Sequence, residues 1–296
     1  MVKLITDSSG DLPDDIIKEY DIDVMPLYFY IEDKEFRDGD INPKELYDEM
    51  RAGKKTKTAQ LSYKDLREHF EKYAQEGEPV IYMAFSSQLS GTYQTACMVR
   101  DELIEEEYPD LDIEIIDTKC ASLGQGMAVY RTARLVKQGF DKETISQAAR
   151  FYAGHTEHIF TVDDLKYLER GGRVSKTSAF VGGMLSIKPI LHVDDGKLIP
   201  IRKVRGRKKV HKNITEMVTE RGNSLDKQVV GINHADDPEG AQKLKQMMAE
   251  NFGCQEFVIG MIGSVIGAHA GPGTLSVYFL NELPEDKEFH GIFDFE

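Results

Sequence analysis

Short apolar runs separated by polar turns recur through the first half of the chain. Residues 80–85 (VIYMAF) form a run rich in β-forming side chains, which is typical of a buried strand. Residues 93–104 then place apolar side chains at helical spacing, which predicts a helix after Gly91. Similar strand patterns, each followed by a helical pattern, occur at residues 3–6, 24–31 and 113–116. This alternation predicts an α/β fold with a mostly parallel sheet.

Polar turns follow three of these predicted strands, at residues 7–9, 86–92 and 117–122. The carboxyl ends of neighbouring parallel strands meet at one edge of a sheet, which is where such sheets bind ligands. The sequence therefore predicts that the three turns lie together.

The turn at residues 86–92 has the chemistry of an anion site. Its hydroxyl side chains are Ser86, Ser87, Ser90 and Thr92. Gly91 allows the backbone to come close to a ligand, and the helix start adds free N–H groups and about half a positive charge. A carboxylate or phosphate suits such a site. The alternative is that Ser90 only caps the helix.

The pattern changes near residue 155. Residues 187–193 and 197–204 are predicted strands around Asp194-Asp195-Gly196, a strong hairpin signal. We also predict a polar loop at 56–62, helices at 163–169, 207–221 and 238–251, and strands at 229–233, 256–262 and 275–279. We therefore expect an α/β domain at residues 1–155 and an α+β domain with an antiparallel or mixed sheet at 156–296.

Charge and composition restrict the possible partners. The 296 residues include 37 Lys and Arg against 51 Asp and Glu, a net charge of −14, which argues against nucleic acid as a partner. The amino terminus lacks the apolar core of a signal peptide, and no run reaches the ~18 apolar residues of a membrane span, so we expect a cytoplasmic protein. The three cysteines lack CxxC spacing, which favours reduced thiols without a metal site.

Common catalytic motifs such as GxSxG, GxGxxG, GxxxxGK[ST] and HExxH are absent from the sequence. His269 is the histidine of interest, because residues 266–274 (IGAHAGPGT) form a predicted glycine- and alanine-rich loop that would present its ring to a pocket. The alternative is a histidine that only bonds a loop carbonyl.

Seven spaced blocks of sequence together resemble the DegV family. They are ITDSSGDLP, KTAQLS, SSQLSGTYQTA, DTKCASLGQG, LKYLERGGRVS, the small-residue run up to IKPIL, and IGAHAGPGTL. The resemblance implies a two-domain protein without a cofactor that holds one long-chain fatty acid in a tunnel. It also implies a partner, an ATP-using fatty acid kinase, which converts the bound carboxylate to an acyl phosphate for phospholipid synthesis.

The resemblance also implies the site. The family's carboxylate-binding threonine, serine and loop histidine match Thr58, Ser90 and His269, and Gly91 and Thr92 add backbone donors. One block departs from the family form TSQPS, because this chain has Ala59 and Leu61 in place of the serine and the proline. Candidates for the tunnel wall, each of which is otherwise plain core, are Phe85, Phe160, Phe180, Met184, Leu185 and Ile190.

Two further hypotheses concern chemistry and docking. In the first, the chain is itself an enzyme that uses His269 for phosphoryl or acyl transfer at the Ser90 turn. The second concerns the basic run at 202–209, the densest positive charge in an acidic chain. We expect Arg202 and Arg205, with Arg170 and Arg173, to dock the kinase or briefly contact phospholipid head groups, although plain solvated surface is the alternative.

Overall fold

The structure, a computed structural model, describes residues 2–174 and 187–284. The strands are β1 (Lys3–Asp7), β2 (Asp23–Met25), β3 (Tyr28–Ile31), β4 (Lys34–Arg37), β5 (Thr56–Ala59), β6 (Val80–Ala84), β7 (Ile113–Asp117), β8 (Thr156–Thr161), β9 (Ile187–Asp194), β10 (Lys197–Arg205), β11 (Val229–His234), β12 (Glu256–Met261) and β13 (Leu275–Leu280). The helices are α1 (Asp14–Glu19), α2 (Pro43–Arg51), α3 (Tyr63–Glu76), α4 (Thr92–Glu106), α5 (Leu123–Gln138), α6 (Lys142–His155), α7 (Lys166–Arg170), α8 (Val210–Arg221), α9 (Pro238–Phe252) and α10 (Ser264–Ala270). Within these residues, no helix has the length and hydropathy to cross a lipid bilayer.

The described strands form three sheets. Sheet A has the order β2-β1-β6-β7 and is parallel throughout, and sheet B has the antiparallel order β4-β3-β5. Sheet C has the order β10-β9-β8-β13-β11-β12 and is antiparallel except for the β11–β12 pair. The predicted α/β class, with a parallel sheet in the first half and a mixed sheet in the second, is confirmed. Sheet C begins at Thr156, and we retain the division after residue 155 as a proposal.

The position of strand β6 in the fold explains its continuous apolar sequence. All five of its residues are buried. Val80 and Tyr82 pack on one face of sheet A with α3 and α4, while Ile81 and Met83 pack on the other face with α5 and α6. A strand covered by helices on both faces needs a continuous hydrophobic run rather than an alternating one.

Side-chain hydrogen bonds mark the starts of helices α2 and α3. At α2, the side chain of Asn42 accepts from Lys44 N at 2.9 Å, and the side chain of Glu45 accepts from Asn42 N at 3.4 Å. Ser62 and Asp65 make the corresponding pair of bonds at α3. These reciprocal bonds satisfy N–H groups that would otherwise be unpaired at a helix start.

The predicted single strand at residues 24–31 is wrong. It is two strands, β2 in sheet A and β3 in sheet B, with Pro26 between them. Proline lacks an N–H and cannot continue a hydrogen-bonded ladder, so the chain leaves one sheet there and enters another.

Three other boundaries also differ from the predictions. The predicted polar loop at 56–62 contains β5, because Thr56–Ala59 pairs with β3 at a sheet edge where polar side chains remain hydrated. The predicted helix at 163–169 is α7, which starts only at Lys166. The predicted helix at 207–221 begins as a separate 3-10 turn, Arg207–Lys209, before α8.

Candidate ligand-binding site

The three predicted turns lie together at the carboxyl edge of sheet A, held by buried Asp7. The Asp7 carboxylate accepts bonds from Phe85 N and the Tyr82 hydroxyl, both at 3.0 Å. On the other side, Asp117 accepts from Ser87 N at 3.1 Å. Both carboxylates therefore fix the start of the 86–92 turn, and the predicted clustering of the turns is confirmed. Burial raises the pKa of Asp7, which the donated bonds partly oppose.

Ser90 has a local role as well as a place in the cavity described below. Its Oγ accepts from Thr92 N at 3.2 Å and lies 3.0 Å from Thr92 Oγ1. Ser90 is half-buried, whereas Thr92 is fully buried beneath it. A hydroxyl that accepts from the backbone can still donate its own proton, so the two hypotheses for Ser90, helix cap and ligand donor, are compatible.

His269 lies on helix α10, so the predicted loop at this position is wrong. Glycine and alanine fill much of this seven-residue helix, and its sequence alone is too short to be a stable helix in water. Packing against α2, α7 and β5 supplies the missing stability. The His269 Nε2 lies 2.7 Å from Thr58 Oγ1 on β5. Two predicted head-group residues that are far apart in the sequence are therefore in direct contact.

The ring of His269 is electrically neutral at neutral pH. Burial, followed by the positive charges of Arg173 and Arg170, lowers its pKa to about 3. With one ring N–H, Nε2 can donate to Thr58 Oγ1 and leave the Thr58 hydroxyl proton free for an acceptor in the cavity.

Thr58, Ser90, Gly91 and His269 line one cavity of about 270 Å³, close to the lower end of the ~300–1,000 Å³ usual for ligand pockets. Thr92 does not line it. Most of the remaining wall is apolar, and its members are Leu27, Ala59, Phe85, Leu89, Ala121, Phe160, Leu168, Val193, Leu198, Ile262, Val265, Ile266 and Ala270. The other polar members are Gln60, Ser122, His158, Arg173, Thr274, Ser276 and Tyr278.

The residues predicted for the tunnel wall lie in different places. Phe85 and Phe160 line the cavity. Ile190 does not, because it packs in the core between sheet C and α8. Phe180, Met184 and Leu185 lie outside the described residues. The residues that line the cavity come from several elements in both halves of the chain. Their spacing in the sequence does not distinguish them from residues of the hydrophobic core.

Two glycines lie in close contact with side chains at the site. A Cβ on Gly91 would lie 2.1 Å from Oε1 of the flexible, exposed Gln60 side chain, so this glycine lets Gln60 lie against the turn. A Cβ on Gly171 would lie 2.1 Å from His269 Nδ1. The glycine after α7 therefore admits the histidine ring, a role that the sequence analysis missed.

The four arginines predicted to dock a partner lie in different surroundings. Arg173 is half-buried in the cavity wall, where its Nε donates to Leu89 O at 3.1 Å. Arg170 is exposed, with its guanidinium 5.1 Å from the centre of the Tyr167 ring. The other two lie on β10, where Arg202 forms ion pairs with Glu216 at 3.0 Å and Glu220 at 2.5 Å, while Arg205 is exposed.

Among residues 2–174 and 187–284, no group of three or more His, Cys, Asp or Glu side chains is arranged to hold a metal ion. His158 uses both ring nitrogens internally, accepting from Ala121 N at 3.2 Å and contacting Thr156 O at 3.0 Å. The arrangement suits hydrogen bonding to an anion at one polar patch, next to an apolar space.

Comparisons with known proteins agree with this description. The model of the family described as "Uncharacterised protein, DegV family" matches residues 1–282. A DegV domain-containing protein of Clostridium perfringens is 40% identical over 286 residues, which cover 95% of this chain and 98% of that protein. A fatty acid-binding protein of Thermotoga maritima is 34% identical over 284 residues, covering 93% of this chain and 96% of that protein. The solved structure of a fatty-acid-binding DegV family protein from Thermus thermophilus has a TM-score of 0.85 at 29% identity, covering 94% of this chain and 98% of that one.

We predict that Gly171→Ala displaces the His269 ring, because the added Cβ would overlap Nδ1. NMR of the imidazole nitrogens should show a changed His269 signal and loss of the Thr58 contact. Gly154→Ala is the matched control, since a Cβ there meets nothing within 4 Å. Unchanged His269 signals in Gly171→Ala would contradict this account of the glycine.

We also predict that His269 makes the free energy of unfolding decrease at acidic pH. Its pKa of about 3 in the folded protein is below the ordinary 6.5, so the unfolded chain binds more protons between these values. The histidine's contribution to stability is therefore present above pH 6.5 and decreases as the pH falls towards 3. Urea unfolding at several pH values should show a shallower acid decline for His269→Gln than for the wild type. Parallel declines would show that His269 is not the titrating group.

Proposed function

Because this chain belongs to the DegV family, we propose that it binds one long-chain fatty acid, with the carboxylate at Thr58, Ser90, Gly91 and His269. The observation that carries the proposal is the cavity itself. The Thr58–His269 pair and the Ser90 turn lie in one wall, and most of the remaining wall is apolar. A fatty acid has the same division into one anionic group and a long apolar tail.

The two parts of the ligand contribute differently to binding. Burying a sixteen-carbon tail, at ~0.8 kcal/mol per methylene, offers on the order of 11 kcal/mol before the costs of association. A helix start contributes only ~0.3–2 kcal/mol to a carboxylate. The tail therefore supplies most of the affinity, and the polar patch supplies orientation.

The polar patch must nevertheless be complete, because a buried carboxylate without partners costs several kcal/mol. Thr58 and Ser90 each have a hydroxyl proton to donate, and the start of α4 adds backbone N–H groups. The nearby guanidinium of Arg173 favours an anion at the same end of the cavity.

We further propose that the protein presents this carboxylate to a separate fatty acid kinase, which forms the acyl phosphate. The polar end of the cavity supports this, because Thr58, Ser90 and His269 are only half-buried and Gln60 beside them is exposed. A carboxylate held there is within reach of a second protein, while the tail stays inside.

Mass spectrometry of the purified protein under non-denaturing conditions tests the carrier against the enzyme hypothesis. A carrier should retain a co-purifying fatty acid and an unmodified His269. A phosphorylated or acylated His269, without bound fatty acid, would instead support an enzyme that uses His269 for phosphoryl or acyl transfer.

For the head-group site, we predict that Thr58→Val with Ser90→Ala keeps the fold but weakens fatty acid binding by roughly 1–3 kcal/mol, the cost of leaving buried polar partners unsatisfied. Titration calorimetry measures the change. Ser87→Ala is the matched control, because Ser87 is in the same turn but does not line the cavity. An unchanged dissociation constant in the double variant would place the carboxylate elsewhere.

For docking, we predict that Arg202→Ala with Arg205→Ala leaves fatty acid binding intact but slows acyl phosphate formation by the kinase. Electrostatic docking acts mainly on the association rate and weakens with salt, so turnover should also become less sensitive to salt. Arg202 already pairs with Glu216 and Glu220, so a partner's acidic groups would have to compete with them. Arg150→Ala, which removes an arginine paired with Glu114 in the first half, is the control. If the wild type and the double variant show equal turnover at every salt concentration, the two β10 arginines are ordinary solvated surface.

A further inference from the structure

Helix α10 is a segment of the second half of the chain that docks on the first half. The Tyr47 hydroxyl donates to Ile262 O at 2.7 Å just before the helix, and Thr56 Oγ1 donates to Ala268 O at 2.9 Å near its end. Because the helix is short and rich in glycine and alanine, its position depends on such outside contacts.

Two carboxyl groups hold the start of this helix. Asp11 Oδ1 accepts from Gly263 N at 2.9 Å, and Asp38 Oδ1 accepts from Ser264 N at 3.2 Å. Both carboxyls are beside Gly263, where a Cβ would lie 2.7 Å from Asp11 Oδ1 and 3.7 Å from Asp38 Oδ2. The two groups therefore share one small region at the first residues of α10.

Asp11 also connects this region to two other elements. When ionised, its Oδ2 accepts from the Ser122 hydroxyl and, at 3.4 Å, from Asn233 Nδ2 on β11; when protonated, its O–H can donate to Ser122 Oγ instead. Ser122 lines the ligand cavity, and its backbone has φ 54° and ψ −148°, a conformation that a non-glycine residue adopts only under constraint. Asp11 itself is left-handed at φ 47°. One side chain thus links the starts of α5 and α10 to sheet C.

From these contacts, and on the basis of the proposed function, we infer that Asp11 and Asp38 are positioning residues for the head-group site, acting through α10 by fixing where His269 meets Thr58. The contacts at the helix start determine where α10 lies, and His269 is in its last turn. Neither carboxyl touches the ligand cavity's polar patch directly, and neither lines that cavity.

The surroundings of the pair contain few opposing charges. Among the described residues, no Lys, Arg or His forms an ion pair with Asp11 or Asp38. Asp7 and Tyr47 face the two carboxyls from neighbouring elements. Arg51 and Asp236 interact electrostatically with Tyr47. The remaining charged residues of the groove that contains the pair are Asp14, Asp40 and Glu45. The Ser264 hydroxyl at the helix start is buried without a hydrogen-bond partner.

Although both carboxyls have some accessible surface, they lie low in the groove, where surrounding protein atoms displace most of the water. This desolvation raises the pKa of Asp11 to about 8 and that of Asp38 to about 6. At neutral pH the pair therefore holds one proton, mainly on Asp11. Because the folded pKa values exceed the ordinary 3.8, the stabilisation from the pair is complete below about pH 4 and is lost as the pH rises through 8.

Ionisation of Asp11 above pH 8 strengthens its bond from Gly263 N, but it also places a poorly hydrated charge beside the charge of Asp38. Because the pKa of Asp11 is raised, these two costs outweigh the stronger bond, so the docked position of α10 and the Thr58–His269 contact should loosen. Asp11→Asn is the informative variant, because its amide mimics the protonated carboxyl, accepts from Gly263 N, and tolerates the left-handed backbone. Asp11→Ala removes the anchor and is a harsher comparison, since alanine is strained at φ 47°.

We would measure hexadecanoate binding by calorimetry at pH 7, 8 and 9 for the wild type and Asp11→Asn. Between pH 7 and pH 9 the wild-type dissociation constant should rise about tenfold relative to that of Asp11→Asn. A tenfold change corresponds to a shift of about one unit in the pKa of Asp11 when the ligand binds. The titration of the ligand itself cancels in this comparison. Asp11→Ala should bind more weakly than Asp11→Asn at pH 7.

The His269 imidazole signal of the ligand-free protein, followed by NMR over the same pH range, gives a readout that does not depend on fatty acid. It should titrate with a midpoint near pH 8 in the wild type and stay constant in Asp11→Asn, which a merely structural role for Asp11 would not produce. Failure of hexadecanoate to bind would overturn the proposed function but leave this signal to test the positioning role. Identical pH profiles of the signal in the two proteins would overturn the positioning role itself.

Discussion

The contact between Thr58 and His269 depends on how α10 docks, and it joins the two halves of the chain at the polar patch of the candidate site. Thr58 is on an edge strand of a small antiparallel sheet, and His269 is on a seven-residue helix that follows sheet C. Neither element has much intrinsic stability. Their hydrogen bond, at 2.7 Å, exists because Tyr47 on α2, Thr56 on β5 and the carboxyls at the start of α10 bring the two halves of the chain together.

The chemistry of the site is that of hydrogen bonds from mostly neutral groups. His269 is uncharged at neutral pH because burial and two neighbouring arginines disfavour its imidazolium. Neutral donors orient an anion without the large desolvation cost of a buried ion pair. That arrangement fits the proposed ligand, whose apolar tail supplies most of the affinity.

Buried polar networks give the site its rigidity. Asp7 holds the end of β6 against β1, and Gln125 on α5 donates to Asp7 at 3.2 Å and to Thr6 at 3.0 Å. Asp11 has a similar role at α10. Buried polar groups with several partners each allow few alternative arrangements, so they fix the turns more sharply than apolar packing alone.

The sequence by itself determined the parallel first sheet, the turns at its carboxyl edge and the hairpin of the second half, because these depend on local hydrophobic periodicity and turn residues. It also indicated Thr58, Ser90 and His269 through the family resemblance. It could not assign β5, since Thr56–Ala59 is polar. The break between β2 and β3 was missed although Pro26 is a local signal for it, but which sheet each strand joins was decided by the tertiary structure. Only the tertiary structure decided that His269 is helical, that Gly171 admits its ring, that Arg173 lines the cavity, and that Asp11 and Asp38 share the start of α10. These features arise from contacts between residues distant in the chain, and a local pattern does not encode which distant partner a side chain meets.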